Sequence, residues 1–221
     1  MVLFDIDGTL LTAGGVGRQA TREAMLEVFG TAAKIDAHSF AGKTDWYTLT
    51  ELLAEYGHTP ASIGQQLDVY VAAIERHIER LIPNYPVQAL PGALEAVQQL
   101  QTDAGTLVGL VTGNMPTSAR AKLRAAGFDP NWFTIGAFGN ESTDRDELAK
   151  LALERAAAYC GQPLPLHRVY VVGDTVMDIL CARAIGGIAV AVRTGYEDGA
   201  VLATARPDYL LEDLTFLFDI W

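Results

Sequence analysis

VLFDIDGTL, residues 2–10, drives an apolar run straight into two carboxylates and a glycine. Val2, Leu3 and Phe4 are continuous rather than alternating with polar residues, the pattern of a strand buried on both faces. In open α/β sheets, ligands bind at the carboxyl ends of such strands, so the polar residues that terminate the run face the site. Asp5 and Asp7 are two apart, so their side chains point the same way, and Gly8 lets the chain turn sharply away. Neighbouring carboxylates repel each other and raise one another's pKa unless a cation lies between them. A divalent metal resolves that conflict.

Outward from this stretch, apolar runs recur at Leu107–Val111, Val169–Val172 and Ile188–Val192. Helical patterns separate them: 91–101, with Leu94, Val97 and Leu100; 116–126, opened by Pro116 and closed before Gly127; 143–159; and 177–185, ahead of Gly186. Strand and helix in alternation predict an α/β fold, a doubly wound, Rossmann-like parallel sheet. One block breaks the alternation. Between the first strand and Pro91 the chain reads as helices only, with Leu67, Tyr70, Val71, Ile74, Ile78 and Leu81 forming one apolar stripe. The spacing therefore predicts a core of residues 1–14 and 86–221 carrying an inserted all-helical cap domain, 15–85. Its hinges are the glycines of 12–17 and the prolines of 82–92.

At 221 residues the chain can bury such a core, and it carries a formal charge of −11. An acidic surface disfavours nucleic acid and anionic lipid as partners. No run reaches the roughly eighteen apolar residues of a membrane span, so the expectation is a cytoplasmic, soluble monomer. Cys160 and Cys181 form no metal-binding spacing, and the histidines are scattered. An anionic substrate would need a metal or a local cationic cluster to reverse the field at its site.

Two further strand ends carry polar residues. Leu107–Val111 runs into Thr112-Gly113-Asn114, offering a hydroxyl and a glycine amide to an anion. Val169–Val172 runs into "GDTVMD", with Asp174 and, four residues on, Asp178, hard oxygen ligands of the kind Mg²⁺ takes. Taken singly, Asp-Gly and Gly-Asp are ordinary turn pairs.

Together, "DIDGT", "VTGN" and "GDTVMD", in that order and each after an apolar run, resemble the motifs of the haloacid dehalogenase superfamily, in its phosphoglycolate phosphatase-like branch with a helical cap. The resemblance spans essentially the whole chain. It implies a phosphatase in which Asp5 attacks phosphorus to form an aspartyl-phosphate and Asp7 acts as general acid and then base. It further implies Mg²⁺ held by Asp5, the Asp7 main-chain carbonyl and Asp174, with Asp178 directly or through water. Thr112, with the Gly113 amide and Asn114, would hold a phosphoryl oxygen.

Family members usually place a Lys, commonly followed by Pro, roughly 20 to 30 residues before the Gly-Asp pair, where it neutralises nucleophile and phosphate. No Lys-Pro stands there. Arg145, 28 positions before Gly173 (173 − 145), fits best; Lys150 ranks second and Lys122, on the helix after Thr112, third. In "FAGKTDWY", residues 40–47, Lys43 and Thr44 are candidates to touch substrate, with a helix-capping Thr as the plain alternative. Arg18, near the hinge, is a candidate for a second anionic group of the substrate.

The implied substrate is a small phosphorylated metabolite. A phosphomutase of the β-phosphoglucomutase type is the competing enzyme. Such mutases usually carry an Asp-Ser/Thr pair and a cap His soon after the first motif, whereas Thr12-Ala13-Gly14-Gly15 follows here and the first His is His38. Asp7 separates the chain from true dehalogenases, which lack it. An inactive binding protein of the same fold would have lost Asp5, Asp7 or Asp174.

Overall fold

A computed structural model describes residues 1–220. The chain opens with β1 (Val2–Phe4) and a short β2 (Leu11–Thr12), then enters a helical block of α1 (Val16–Phe29), α2 (Asp45–Leu53), α3 (Pro60–Gln65) and α4 (Leu67–Leu81). It returns through β3 (Gln88–Ala89), which pairs antiparallel with β2, so the block leaves and re-enters the core side by side. Then follow α5 (Ala93–Thr102), β4 (Val108–Val111), α6 (Pro116–Ala125), β5 (Ile135–Ala137) and α7 (Arg145–Cys160). The chain ends with β6 (Tyr170–Gly173), α8 (Val176–Ala184), β7 (Ile188–Val192), α9 (Gly199–Thr204) and β8 (Tyr209–Leu211), followed by a short 3₁₀ segment. No helix among the described residues is long and apolar enough to cross a membrane.

The large sheet runs β5-β4-β1-β6-β7-β8, every pairing parallel. β1 lies between β4 and β6, with Val2 opposite both Val108 and Tyr170. From β1 the chain builds outward to β4 and β5 on one side, then crosses back to β6, β7 and β8 on the other. β1 is therefore the switch point of the sheet, the place where loops diverge and leave a crevice. Asp5, Thr112 and Asp174 follow the three central strands and meet at that crevice.

Burial explains the continuous apolar runs. Val2 and Phe4 pack into the core on one face and Leu3 into the core on the other; Val171 and Val172 divide in the same way. The first of these cores continues into the helical block, through Leu49, Ile74 and Ile78. The second is closed by α7 and α8, with Leu148, Ala152 and Ile179. Within the block the expected stripe is α4: Tyr70, Ile74 and Ile78 are fully or nearly fully buried, while Val71 and Leu81 are half-buried at its margin.

The sequence reading lacked β2, β3, β5, β8, α3 and α9. β5 is only Ile-Gly-Ala, and β8 is a three-residue edge strand, Tyr-Leu-Leu, with an exposed Tyr209 and carboxylates on either side of it. α3 is six residues long and buries only Ile63, although Pro60 and the reciprocal Thr59–Ser62 capping bonds mark its start.

Truncating Ile78→Ala leaves a cavity in the core where α4 packs against α1 and α6 and should cost about 2–5 kcal/mol. Val69→Ala, on the exposed face of the same helix, should stay within about 0.5 kcal/mol of wild type. Urea unfolding of both variants measures the difference.

Candidate active site

Three carboxylates converge at the carboxyl ends of β1 and β6. Oxygens of Asp5, Asp174 and Asp178 lie within 4.8 Å of one another, and all three residues are buried. Asp178 stands one helical turn after Asp174, in the first turn of α8. Its Oδ2 accepts from the Thr175 backbone N–H at 3.0 Å and the Thr175 hydroxyl at 2.6 Å, which fixes both the helix start and the carboxylate. Asp174 accepts from the Thr9 hydroxyl at 3.2 Å and from the Tyr196 backbone N–H at 2.8 Å. Gly8 has φ of +87°, and a Cβ there would stand 2.5 Å from Asp174 Oδ2. Both the turn and the carboxylate behind it require glycine.

One guanidinium answers these charges. Arg145, buried at the first position of α7, donates from Nη2 to Asp178 Oδ1 at 2.5 Å and lies 3.1 Å from Asp5 Oδ1. Arg145 does not balance three carboxylates. Burial pushes Asp5 up to about 6, with Arg145 opposing and the charge of Asp178 adding to the rise. Burial, then the charges of Asp178 and Asp5, push Asp174 up to about 8. Hard oxygen ligands in a cluster that disfavours its own full ionisation are suited to Mg²⁺.

Asp7 belongs to a second group. Its Oδ2 lies 2.7 Å from the Nζ of buried Lys122 and accepts from Asn114 Nδ2 at 2.8 Å. Lys122 also donates to Asn114 Oδ1 at 2.6 Å, and Asn114 Nδ2 reaches the Thr112 hydroxyl at 2.8 Å. The site thus holds two of the three cations singled out in the sequence. Lys150, ranked second there, is corrected: it is exposed and pairs with Glu147 at 2.7 Å on the outside of α7. Five residues before Lys150 on that helix (150 − 145) Arg145 faces inward, because a helix turns through about 100° per residue.

A cavity of about 530 Å³ opens between the strand ends and the helical block. Asp5, Asp7, Gly113, Asn114, Lys122 and Arg145 form its core wall, and Arg18 and Lys43 lie on the block side. Arg18 spends its guanidinium on the carbonyls of Ile35 and His38 and stacks 4.7 Å from the centre of the Phe40 ring. Lys43 Nζ donates to Glu51 at 2.6 Å. Thr44 is corrected from substrate contact to helix cap: it is buried, its Oγ1 accepts the Tyr47 N–H at 3.1 Å, and it does not line the cavity. Thr112 is fully buried behind Asn114 and is likewise absent from the wall.

Sequence reasoning missed Thr9, Asp45 and Tyr196. Asp45 lines the cavity, and burial pushes it up to about 6 against the charge of Lys122. In the sequence Thr44-Asp45 reads as an ordinary helix start. Tyr196 lies in the loop after β7, so extending the strand-end rule to a fourth strand would have pointed to it.

A family model described as a haloacid dehalogenase-like hydrolase matches residues 1–186. The chain is 28% identical over 211 residues to a phosphoglycolate phosphatase of Synechococcus elongatus, covering 96% of this chain and 92% of that one. It is 22% identical to a pyrophosphatase of Bacillus pumilus, covering 99% and 94%. In three dimensions it is similar to a hydrolase from Pseudomonas syringae, with a TM-score of 0.72 at 24% identity over 99% of this chain and 96% of that one.

Raised carboxylate pKa values mean that the folded metal-free protein holds protons the unfolded chain has released. Asp174, shifted from 3.8 to about 8, and Asp5, shifted to about 6, therefore stabilise the fold below pH 4 relative to neutral pH. That contribution is lost as pH rises through 6 and 8, at about 1.4 kcal/mol per pH unit per proton. Denaturant titrations in EDTA between pH 5 and 8.5 should show the decline, and Asp174→Asn should flatten it.

Proposed function

The chain belongs to the haloacid dehalogenase-like hydrolase family, and from that premise we propose a Mg²⁺-dependent phosphatase that hydrolyses a small phosphorylated metabolite through an aspartyl-phosphate on Asp5. The observation that carries this reading is the buried cluster of Asp5, Asp174 and Asp178 beside one guanidinium, with Asp5 open to the cavity. The names of the relatives from Synechococcus and Bacillus agree with phosphoryl chemistry.

In this reading an Asp5 oxygen attacks phosphorus, the phosphorus–ester oxygen bond breaks, and the departing oxygen takes the proton of Asp7. Asp7 then removes a proton from water, whose oxygen attacks phosphorus, and phosphate leaves with the Asp5 carboxylate restored. Lys122 and Asn114 hold one oxygen of Asp7, so its carboxyl group is oriented before substrate arrives. Arg145 fixes Asp5 and brings positive charge to the nucleophile. Asp5, Asp174 and the Asp7 main-chain carbonyl would hold Mg²⁺, with Asp178 directly or through water. When bound, the ion supplies charge neutralisation that lets an anionic nucleophile meet an anionic phosphate. The Gly113 amide and Asn114 would receive a phosphoryl oxygen. We further assign residues 15–85 as a cap that confines the cavity to small substrates and keeps bulk water from the intermediate.

Phosphate release from p-nitrophenyl phosphate tests the proposal. Turnover should require Mg²⁺, vanish in EDTA and vanish in Asp5→Asn, while Asp7→Asn should lower kcat by about 10²–10⁴. Lys150→Ala should leave the rate unchanged. Wild-type turnover by Asp5→Asn would overturn the proposal.

A further inference from the structure

The mechanism above makes no use of Asp45, although this carboxylate reaches from the helical block into the loop that carries Asn114. Met115 is fully buried and directly precedes α6, where a helix N-terminus leaves backbone donors without partners inside the helix. The Met115 N–H donates to Asp45 Oδ2 at 2.8 Å. The start of α6 is thus capped by a residue 70 positions earlier in the chain, and a carboxylate suits the positive end of the helix dipole.

The bond is reciprocated. Asp45 donates its own N–H to the Gly113 carbonyl at 2.7 Å, and Trp46 donates to the Gly139 carbonyl at 3.1 Å. Gly139 in turn donates to the Asn114 carbonyl at 2.8 Å. The two backbones lie so close that a Cβ on Gly113 would overlap the Lys43 carbonyl oxygen. Asn114 is therefore gripped from both sides, through Gly113 before it and Met115 after it. Its side chain is the one that holds Asp7 together with Lys122.

We propose that Asp45 is a positioning residue that straps the helical block to the Gly113–Met115 loop and so sets the loop geometry in which Asn114 and Lys122 align Asp7. Asp7 is then aligned while the block is seated on the core and loses its alignment when the block lifts. The catalytic consequence rests on the phosphatase reading; the strap and its hold on Asn114 do not.

The test compares wild type, Asp45→Ala and Asp45→Asn by NMR and by kinetics with p-nitrophenyl phosphate and Mg²⁺. In Asp45→Ala the Met115 amide loses its acceptor, so its hydrogen exchange should rise, and the Asn114 side-chain amide resonances should shift, while β1 and β6 amides stay protected. The kcat should fall roughly tenfold or more with KM nearly unchanged, the size expected for losing a hydrogen bond to a charged acceptor. Asp45→Asn keeps an oxygen that accepts from Met115 and should restore most of both readouts. If Asp45→Ala does not fold, Asp45→Glu, which displaces the oxygen by one methylene, is read in the same way.

Unchanged Asn114 side-chain resonances in a folded Asp45→Ala protein would overturn the proposal. So would displaced resonances with an unchanged kcat, because the strap would then be structural only. A wild type without turnover would remove the phosphatase reading alone, and the Asn114 resonances would still decide whether Asp45 sets the loop.

Discussion

Three buried carboxylates face one buried guanidinium, and the imbalance of that group governs the rest of the site. Asp5, Asp174 and Asp178 carry three negative charges when ionised, Arg145 returns one positive charge, and two negative charges remain. Uncompensated buried charge is expensive, so either protons or a divalent cation must complete the balance. The elevated pKa values of Asp5 and Asp174 are the protonic answer; a Mg²⁺ ion is the other. The surrounding structure keeps the carboxylates in place despite their repulsion. Threonine hydroxyls, the Thr175 and Tyr196 amides and the glycine turn at Gly8 each hold an oxygen or admit it.

The second charged group is balanced on its own. Asp7 and Lys122 form a one-to-one pair with Asn114 between them, so the carboxylate proposed as the acid/base is oriented without drawing on Arg145. Division of labour between two cations suits the proposed reaction, in which neighbouring aspartates take different roles: Asp5, beside Arg145, attacks phosphorus, and Asp7, beside Lys122, exchanges a proton. The pairing also ties the chemistry to architecture, because Lys122 is on α6 and Asn114 precedes it, while the same loop is held by the helical block through Asp45.

Much of this was legible in the sequence because it is local. An apolar run ending in Asp-Ile-Asp-Gly places two carboxylates on one side of a strand end, and Asp174 and Asp178 follow the end of another buried run within a few residues. The parallel sheet was legible because burial on both faces leaves no polar alternation in β1, β6 or β7. What was hidden depends on distant segments. Whether Lys122 or Lys150 faces the site is decided by how α6 and α7 pack on the sheet, which spacing alone does not encode. Thr44 and Asp45 are adjacent, and only the docking of the loop against Gly113 and Met115 decides that the first caps a helix and the second enters the cavity. β5 is interrupted by Gly136 and β8 is a half-exposed edge strand, so neither carries the burial on both faces that marks β1.

In the proposed mechanism a divalent cation completes the Asp5–Asp174–Asp178 cluster. Calorimetric titration of Mg²⁺ into the substrate-free protein at pH 7, repeated in buffers of different ionisation enthalpy, counts both ions bound and protons released. One ion per chain should bind with net release of protons, since burial and the charges of Asp178 and Asp5 raise Asp174 to about 8. Loss of that site in Asp174→Asn is part of the same result. Absence of binding, or binding with no proton release that persists in Asp174→Asn, would contradict the proposed mechanism.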